Sequence, residues 1–240
     1  MKVYFDGITN VNACFSQRDD QGFSKEPFSQ LNLGLSTGDN PEDVQKNRSA
    51  FLNRLSYTPD DAAFAHQTHS DRVQRVTRAG IYTECDALIT QEKNLPLLIQ
   101  VADCACVFLY DDENHAIGLV HSGWRGSSMK IVSNTLNEMN RHFGTEPKNC
   151  LAVISPCISK DHFEVGQDVF ELFLPKYFTP KSNNKYLFDM KHYLVDELNS
   201  FGVQSVTVDN ACTFSESKSY FSFRRDREQS GRMMGCIVLV

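Results

Sequence analysis

The chain has 240 residues, of which 41% are hydrophobic and 22% charged, a composition that suits a globular protein with a substantial core. Its formal net charge of −6 argues against a nucleic-acid or membrane-surface partner held by bulk electrostatics. No apolar stretch approaches the roughly 18 residues that a membrane-spanning helix needs, and Asp6, Asn10 and Asn12 interrupt the region where a signal peptide would be apolar.

The cysteines indicate a reducing compartment. Eight of them are scattered along the chain without a CxxC pair. Since no export signal precedes them, we predict reduced and mostly buried thiols in a cytoplasmic protein.

The first clearly marked helix begins at Pro41. Asn40 has the residue type of an N-cap, and acidic residues follow in the first turn, where they interact favourably with the helix dipole. We predict that this helix extends to about Leu55 and carries Arg48 on one side. Arg48 has two interpretations, an ordinary solvated charge or an anion-binding residue.

Two histidines follow, in a segment that resembles a strand end and turn. His66 and His69 lie three residues apart, and we expect only one of them to point into the interior. Arg72–Val76 and Cys85–Thr90 are further predicted strands.

The stretch from Pro96 to Gly126 contains three nearly uninterrupted apolar runs, which predict strands buried on both faces. The runs are Leu97–Val101, Ala105–Tyr110 and Ala116–Val120. Asp103 and Cys104 lie between the first two runs, and His121 directly follows the third. Such polar groups are costly at the ends of buried strands unless they have partners, and a metal ion is one such partner.

A glycine-rich turn follows His121 and predicts a helix beginning near Ser127 or Ser128. The apolar residues from Met129 to Phe143 recur at intervals of three and four, so this helix has one apolar face. Free backbone N–H groups at its start would suit an anion, phosphate included.

The remaining elements complete one mixed α and β domain over residues 1–240. They are a strand at Asn149–Ile158, a helix at Phe163–Leu172, a loop at Phe173–Asn184, an amphipathic helix at Leu187–Phe201, a strand at Val203–Val208 and a terminal apolar strand.

Several site chemistries compete for these residues. His69, Cys104 and His121 would satisfy a catalytic zinc ion, which needs three protein ligands and leaves one position open. A cysteine nucleophile, either Cys104 or Cys157, with a histidine base is an alternative that the sequence leaves open. The seven histidines include no H-x-H pair, which makes multicopper oxidase chemistry unfavourable.

Motifs along nearly the whole chain resemble one known family. They are LNLGLSTGDNPEDVQKNR, HQTHS, CDALIT, VADC, VHSGWRG, ISPCI with FEVG, CTF, and YFSFRRD with SGRM. Together they are similar to the YfiH-like family, also called the multicopper polyphenol oxidase (laccase) domain family, whose members are regarded as purine nucleoside phosphorylases.

The resemblance implies an α+β fold with mixed sheets in α/β/β/α layers. It also implies one zinc ion per chain, held by His69, Cys104 and His121, with copper a less favoured occupant. The implied reaction is phosphorolysis of adenosine, inosine, guanosine and S-methyl-5′-thioadenosine, accompanied by adenosine deamination. We expect Arg48 and Gln67 to contact the substrate, and Arg48 and Asp103 to act in catalysis. For Asp103, a role as an acid or base and a role as a hydrogen-bonding support for the neighbouring ligand are equally compatible with the sequence.

Two other functions are also compatible with the sequence. One is a cysteine hydrolase that uses Cys104 and His121, with an editing role on peptidoglycan precursors that is also ascribed to the family. The other is a non-catalytic zinc-binding protein.

Overall fold

The computed structural model describes residues 1–240 and contains fifteen strands and six α-helices. The strands are β1 (Lys2–Tyr4), β2 (Val11–Phe15), β3 (Ala63–His66), β4 (Val73–Arg75), β5 (Gly80–Thr83), β6 (Ala87–Thr90), β7 (Leu97–Val101), β8 (Ala105–Asp111), β9 (Ala116–Ser122), β10 (Cys150–Ile154), β11 (Glu164–Val165), β12 (Phe178–Pro180), β13 (Tyr186–Phe188), β14 (Ser205–Val208) and β15 (Met233–Leu239). The helices are α1 (Pro41–Asn53), α2 (Trp124–Ser128), α3 (Ile131–Phe143), α4 (Gln167–Phe170), α5 (Met190–Phe201) and α6 (Phe223–Asp226). None of the helices has the length and apolar character needed to span a bilayer.

Two six-stranded sheets form the centre of the molecule. The first has the order β1-β2-β15-β7-β3-β5 and the second the order β14-β10-β8-β9-β6-β4. Each sheet is mixed, because β3 pairs with β5 and β10 with β14 in parallel, whereas the pairs β15–β7 and β8–β9 are antiparallel. A small third sheet has the order β11-β13-β12.

Alternating side chains of the buried strands build the layers. On β8, Phe108 and Tyr110 pack in the core between the two sheets, whereas Val107 and Leu109 pack in the core that contains residues of α3 and α5. The outer face of the first sheet is covered by α1. The resulting α/β/β/α order confirms the fold class predicted from the sequence.

The three buried strands predicted in the central stretch are present as β7, β8 and β9. The last of them is longer than predicted, so His121 lies inside β9 instead of following it. In the antiparallel β8–β9 pair, Cys106 lies opposite His121, and Cys104 precedes β8 by one residue. The pairing therefore brings Cys104 and His121 to the same end of the second sheet.

The first helix also agrees with its prediction. It begins at Pro41 and ends at Asn53, and the Asn40 side chain accepts a hydrogen bond from the Glu42 N–H at 2.9 Å.

The helix predicted after His121 is divided in two. A five-residue helix, α2, begins at Trp124, and the long amphipathic helix α3 begins only at Ile131. Lys130 adopts a left-handed conformation with φ of 65°, which interrupts the helical path between them. The predicted capping role of Ser127 or Ser128 is therefore wrong, since both serines lie within α2.

The region between 163 and 184 also differs from its prediction. Only Gln167–Phe170 is helical within the predicted helix, and β12 lies in the predicted loop. The aromatic residues here pack on one another, as in the stacked pair Phe170 and Tyr186, with ring centroids 4.1 Å apart. Aromatic spacing fits short strands as well as a helix, so the pattern alone did not separate them.

Candidate metal centre

Three side chains from three separate segments converge at one end of the second sheet. His69 comes from the loop after β3, Cys104 from the turn before β8 and His121 from β9. Their potential ligand atoms all lie within 4.8 Å of one another. His66, the other histidine of the HQTHS motif, lines the adjoining cavity but is not part of this group.

Asp86 holds two of these segments together. Its fully buried carboxylate accepts hydrogen bonds from His121 Nδ1 at 2.7 Å and from the backbone N–H of His69 at 3.0 Å. It also accepts bonds from the backbone N–H groups of Thr68 and Ser70 and from the Ser70 hydroxyl. Because Nδ1 of His121 is occupied in this way, its Nε2 is available as a metal ligand.

The same contacts determine the charge of Asp86. Burial acts to raise the pKa of its carboxyl group, but hydrogen bonds from His121 and Ser70 outweigh that effect and hold the pKa well below its usual range. Asp86 is therefore a carboxylate. Sequence reasoning assigned it no role, although a buried aspartate directly before an apolar strand was a signal that it has partners.

Two residues of the site have left-handed backbone conformations. His69 has φ of 59°, and Asp103, directly before Cys104, has φ of 83°. Such a conformation costs about 1 kcal/mol or more for a residue other than glycine, so it needs support from the surroundings. Asp86 supplies that support at His69 through the backbone hydrogen bond.

Cys104 and His121 form an electrostatically coupled pair. Burial raises the pKa of the Cys104 thiol, but the neighbouring His121 and His69 bring it down to about 6. Burial lowers the pKa of His121, whereas Cys104 and Asp86 raise it to about 9. The site therefore favours a thiolate, the form of cysteine that binds metals and acts as a nucleophile.

Gly123 permits the chain to pass close to the thiol. A Cβ at this position would lie 2.7 Å from Cys104 Sγ and 3.8 Å from His69 Cδ2. The first distance is far shorter than a van der Waals contact, so any larger residue would displace the thiol. The sequence suggested a tight turn as the reason for this glycine, whereas the close approach to Cys104 is what excludes a side chain.

A cavity of about 350 Å³ adjoins the three potential ligands. Its wall combines the ligands with polar side chains and one aromatic ring. The lining residues are Ser36, His66, Gln67, His69, Gln100, Val101, Ala102, Cys104, His121, Phe223 and Arg232.

Gln67 and Asp103, two other residues predicted for the site, are engaged with the protein itself. Gln67 lines the cavity, but its amide bonds to the backbone N–H and C=O of Gln100. Asp103 is buried and is not among the lining residues. One of its carboxylate oxygens accepts a hydrogen bond from Thr213 Oγ1 at 2.7 Å, and the other accepts one from the Arg224 N–H at 2.6 Å.

Arg48 lies apart from the three potential ligands. It lines a neighbouring cavity of about 460 Å³, its Nε donates to the Leu33 carbonyl, and its guanidinium lies over the Phe64 ring. In the loop after Gly34, Leu35 lines the Arg48 cavity and the next residue, Ser36, lines the cavity beside the potential ligands.

Arg232, which was not among the residues predicted to contact the substrate, also lines the cavity. Its Nη1 donates to the carbonyls of Ser230 and Gly231, and no carboxylate forms an ion pair with it. Burial lowers the pKa of its guanidinium. A Cβ on Gly34 would lie 2.5 Å from Arg232 Cγ, so the glycine of the NLGL motif makes room for the arginine stem.

The donor set determines which metals would fit. Two imidazole nitrogens and a thiolate suit zinc or another first-row transition metal and do not suit magnesium or calcium, which prefer oxygen ligands. Three protein ligands also leave a position for water or substrate, as in catalytic zinc sites. His69, Cys104 and His121 could therefore hold a reactive metal ion at the wall of the cavity.

Comparison with known proteins agrees with this architecture. The chain is 32% identical to the purine nucleoside phosphorylase of Haemophilus influenzae, over 95% of this chain and 94% of the relative. It is 30% identical to the purine nucleoside phosphorylase YfiH of Escherichia coli, over 96% of this chain and 94% of the relative. Bacillus subtilis YlmD, also named a purine nucleoside phosphorylase, is 31% identical over 90% of this chain and 84% of the relative.

Solved structures show the same fold. The hypothetical protein YfiH of Bacillus licheniformis superposes with a TM-score of 0.92 at 32% identity, covering 96% of this chain and 93% of the other. YlmD of Geobacillus stearothermophilus gives a TM-score of 0.92 at 27% identity, covering 96% and 92%. A family model described as multi-copper polyphenol oxidoreductase laccase matches residues 12–240. The chain therefore belongs to this laccase-like, YfiH-related family.

Proposed function

We propose that this chain is a zinc-dependent purine nucleoside phosphorylase that also deaminates adenosine. The observation that supports the proposal most directly is the convergence of His69, Cys104 and His121 on one cavity, with a coordination position left for a ligand. The substrate class comes from the names of the relatives, which are purine nucleoside phosphorylases.

Zinc, at one ion per chain, is the proposed metal. A multicopper oxidase passes electrons between several copper sites, and the structure contains one group of three potential ligands. The proposed substrates are adenosine, inosine, guanosine and S-methyl-5′-thioadenosine. When bound, zinc would supply a positive charge and Lewis acidity beside the substrate, and for deamination it would acidify a bound water molecule.

Phosphorolysis requires a cation close to the attacking phosphate. A phosphate oxygen bonds to C1′ while the bond from C1′ to the purine nitrogen breaks. The departing base takes the electron pair and, overall, the proton that hydrogen phosphate gives up. We propose that Arg232 holds the phosphate, because it lines the cavity and its guanidinium bonds to backbone carbonyls without forming an ion pair with a carboxylate. Arg48 is the alternative, through the neighbouring cavity.

Asp103 and Gln67 are proposed to position the groups around them. The two hydrogen bonds that Asp103 accepts support a role in fixing the turn before Cys104 more than a role as acid or base. Gln67 would act on the substrate through Gln100, whose backbone it holds.

The test of the proposal is an assay of zinc-loaded protein with adenosine and phosphate. We expect adenine and ribose 1-phosphate from phosphorolysis and inosine from deamination, together with one zinc ion per chain. Cys104→Ala should lose both zinc and turnover. Absence of all these products from the intact, zinc-loaded protein would refute the proposal.

The two arginines can be separated by their effects on phosphate. Arg232→Lys should raise the KM for phosphate, since lysine keeps the charge but loses the planar guanidinium. Arg48→Lys serves as the comparison. A raised phosphate KM for Arg48→Lys, with no change for Arg232→Lys, would reverse the assignment.

A cysteine hydrolase, acting for example on peptidoglycan precursors, is the second candidate function. It is favoured by one observation, the chain of contacts from Asp86 through His121 to a Cys104 thiol with a lowered pKa. This function predicts metal-independent hydrolysis that is abolished by a thiol-alkylating reagent and prevented by zinc. A non-catalytic zinc-binding protein would instead take up one zinc per chain without turnover.

We also propose a cytoplasmic location. All eight cysteines are free thiols, seven of them buried, a state that a reducing compartment maintains.

A further inference from the structure

The Gln100 side chain is an amide without a protein partner in the wall of the cavity. It extends from β7 close to the end of the strand, and its Oε1 is buried without a hydrogen-bond partner. Gln100 takes part in hydrogen bonds only through its backbone. A buried polar atom without a partner is costly, so a rotation of the side chain that turns Oε1 toward the cavity and a bound ligand would remove that cost.

The backbone that presents this amide is held firmly. Gln67 Nε2 donates to the Gln100 carbonyl at 2.8 Å, and the Gln100 N–H donates to Gln67 Oε1 at 3.0 Å. These two bonds continue the parallel pairing of β3 with β7 beyond its last backbone pair, Phe64 with Leu98. The Gln100 side chain therefore extends from a fixed point on the cavity wall.

An aromatic ring lines the same cavity. Phe223 is 39% exposed, which is unusual for a phenylalanine, and the Arg232 guanidinium lies 5.6 Å from its ring centroid. A partly exposed aromatic ring together with a free amide suits a planar heteroaromatic ligand, which can stack on the ring face away from Arg232 and form hydrogen bonds at its edge.

We infer that Gln100 recognises the edge of the purine base that carries N1 and the 6-substituent, with Phe223 supplying the stacking surface. The inference rests on the proposed function and assigns specificity within it. Adenine presents a donor at the 6-amino group and an acceptor at N1. Hypoxanthine and guanine present the reverse, an acceptor at the 6-oxygen and a donor at N1.

A free glutamine amide can match both patterns. Rotation of the amide by 180° exchanges its donor and its acceptor. Because the protein bonds to neither end of the Gln100 amide, the rotation breaks no hydrogen bond within the protein. One residue thus accounts for a site that accepts both 6-amino and 6-oxo purines.

The test compares kcat/KM for four nucleosides at saturating phosphate: adenosine, inosine, guanosine and purine riboside, which lacks a 6-substituent. Gln100→Leu should lower kcat/KM for the first three roughly tenfold, as expected for the loss of hydrogen bonds to a buried edge, and should affect purine riboside less. Gln100→Glu should raise the ratio of guanosine to adenosine. A carboxylate only accepts hydrogen bonds, and guanine offers two donors, at N1 and at its 2-amino group.

Matched controls separate recognition from damage to the fold. Gln74→Leu and Gln74→Glu alter an exposed glutamine on β4 whose amide bonds only to the Arg75 carbonyl, and they should leave all four rates unchanged. Zinc content and thermal unfolding are measured for each variant, and Gln100→Met, which preserves the side-chain length, replaces Gln100→Leu if that variant fails to fold.

The outcomes are distinguishable. If the wild-type protein cleaves nucleosides and Gln100→Leu keeps wild-type kcat/KM for all four, or loses the same factor on purine riboside, the role of Gln100 is overturned and the phosphorylase proposal stands. If the wild-type protein cleaves none of them, the phosphorylase proposal fails and the inference fails with it.

Discussion

At the scale of single residues, the candidate metal site depends on residues that are not themselves potential ligands. Asp86 links a ligand side chain to the backbone around another ligand, and Gly123 leaves room for the thiol. Both residues are part of motifs that the sequence displays, yet their partners lie far away along the chain. Their roles therefore became visible only from contacts.

Replacing Asp86 tests its role as the support of the ligands. Asp86→Asn keeps the size of the side chain but removes the charge and places an amide opposite backbone donors. We expect zinc affinity to fall by about 10- to 100-fold, as is typical when the hydrogen-bond partner of a metal-binding histidine is lost. Competition titration against a chromogenic chelator measures the change.

The matched control is Asp111→Asn. Asp111 is also a fully buried carboxylate that accepts backbone hydrogen bonds, but it is the last residue of β8, at the end of the β8–β9 pair away from His121. Asp111→Asn should lower the stability of the protein without lowering its zinc affinity. Equal zinc affinities for the two variants would argue against a specific role of Asp86.

A second prediction concerns Gly123. Gly123→Ala places a methyl group 2.7 Å from the Cys104 sulfur, so the thiol must move and zinc affinity should decrease. Gly38→Ala is the control, because its added Cβ would meet only the Phe28 ring, at an ordinary 3.4 Å. Zinc titration of both variants is the measurement, and unchanged affinity in Gly123→Ala would show that the turn absorbs the methyl group.

At the scale of elements, local signals predicted α1 well. An N-cap, a proline at the first position and acidic residues in the first turn define where this helix starts, and these features act within a few residues. The segment from 163 to 184 lacks such signals, and its short strands depend on aromatic packing. The helix with local capping signals was predictable, whereas the short strands of this segment, which depend on packing between aromatic side chains, were not.

The N-cap of α1 should contribute measurably to the stability of the protein. Asn40→Ala removes the acceptor for the Glu42 N–H and should lower the free energy of unfolding by about 1 kcal/mol. Asn53→Ala, at the exposed last residue of the same helix, should change it by much less. Urea unfolding followed by circular dichroism measures the free energy of unfolding of both variants. Equal decreases for Asn40→Ala and Asn53→Ala would mean that helix propensity, and not capping, dominates.

At the scale of the whole molecule, the metal site joins three segments that are distant in sequence. His69, Cys104 and His121 come from loops and strands of both sheets, so a bound ion would cross-link the fold. A ligand that binds only the folded state at 100 times its Kd stabilises that state by about 2.7 kcal/mol. A metal ion bound at the candidate site should therefore also stabilise the folded protein.

Metal removal tests this contribution. Treatment with a strong chelator should lower Tm by roughly 5–10 °C, given the shift of about 2–4 °C per kcal/mol for a chain of this size. Scanning calorimetry with and without added zinc is the measurement. Cys104→Ala should show no dependence of Tm on zinc, and a dependence equal to that of the intact protein would place the stabilising ion elsewhere.

The sequence by itself determined the buried central strands and the first helix, and its resemblance to a known family predicted the mixed layered fold and the three potential metal ligands. It could do so because apolar runs, capping residues and family motifs are local patterns. Only the tertiary structure decided that Asp86 supports the ligands, that Arg232 and not Arg48 lines their cavity, and that Gln67 holds Gln100. These relations are contacts between segments far apart along the chain, and no local pattern specifies which polar groups will meet once the sheets have packed.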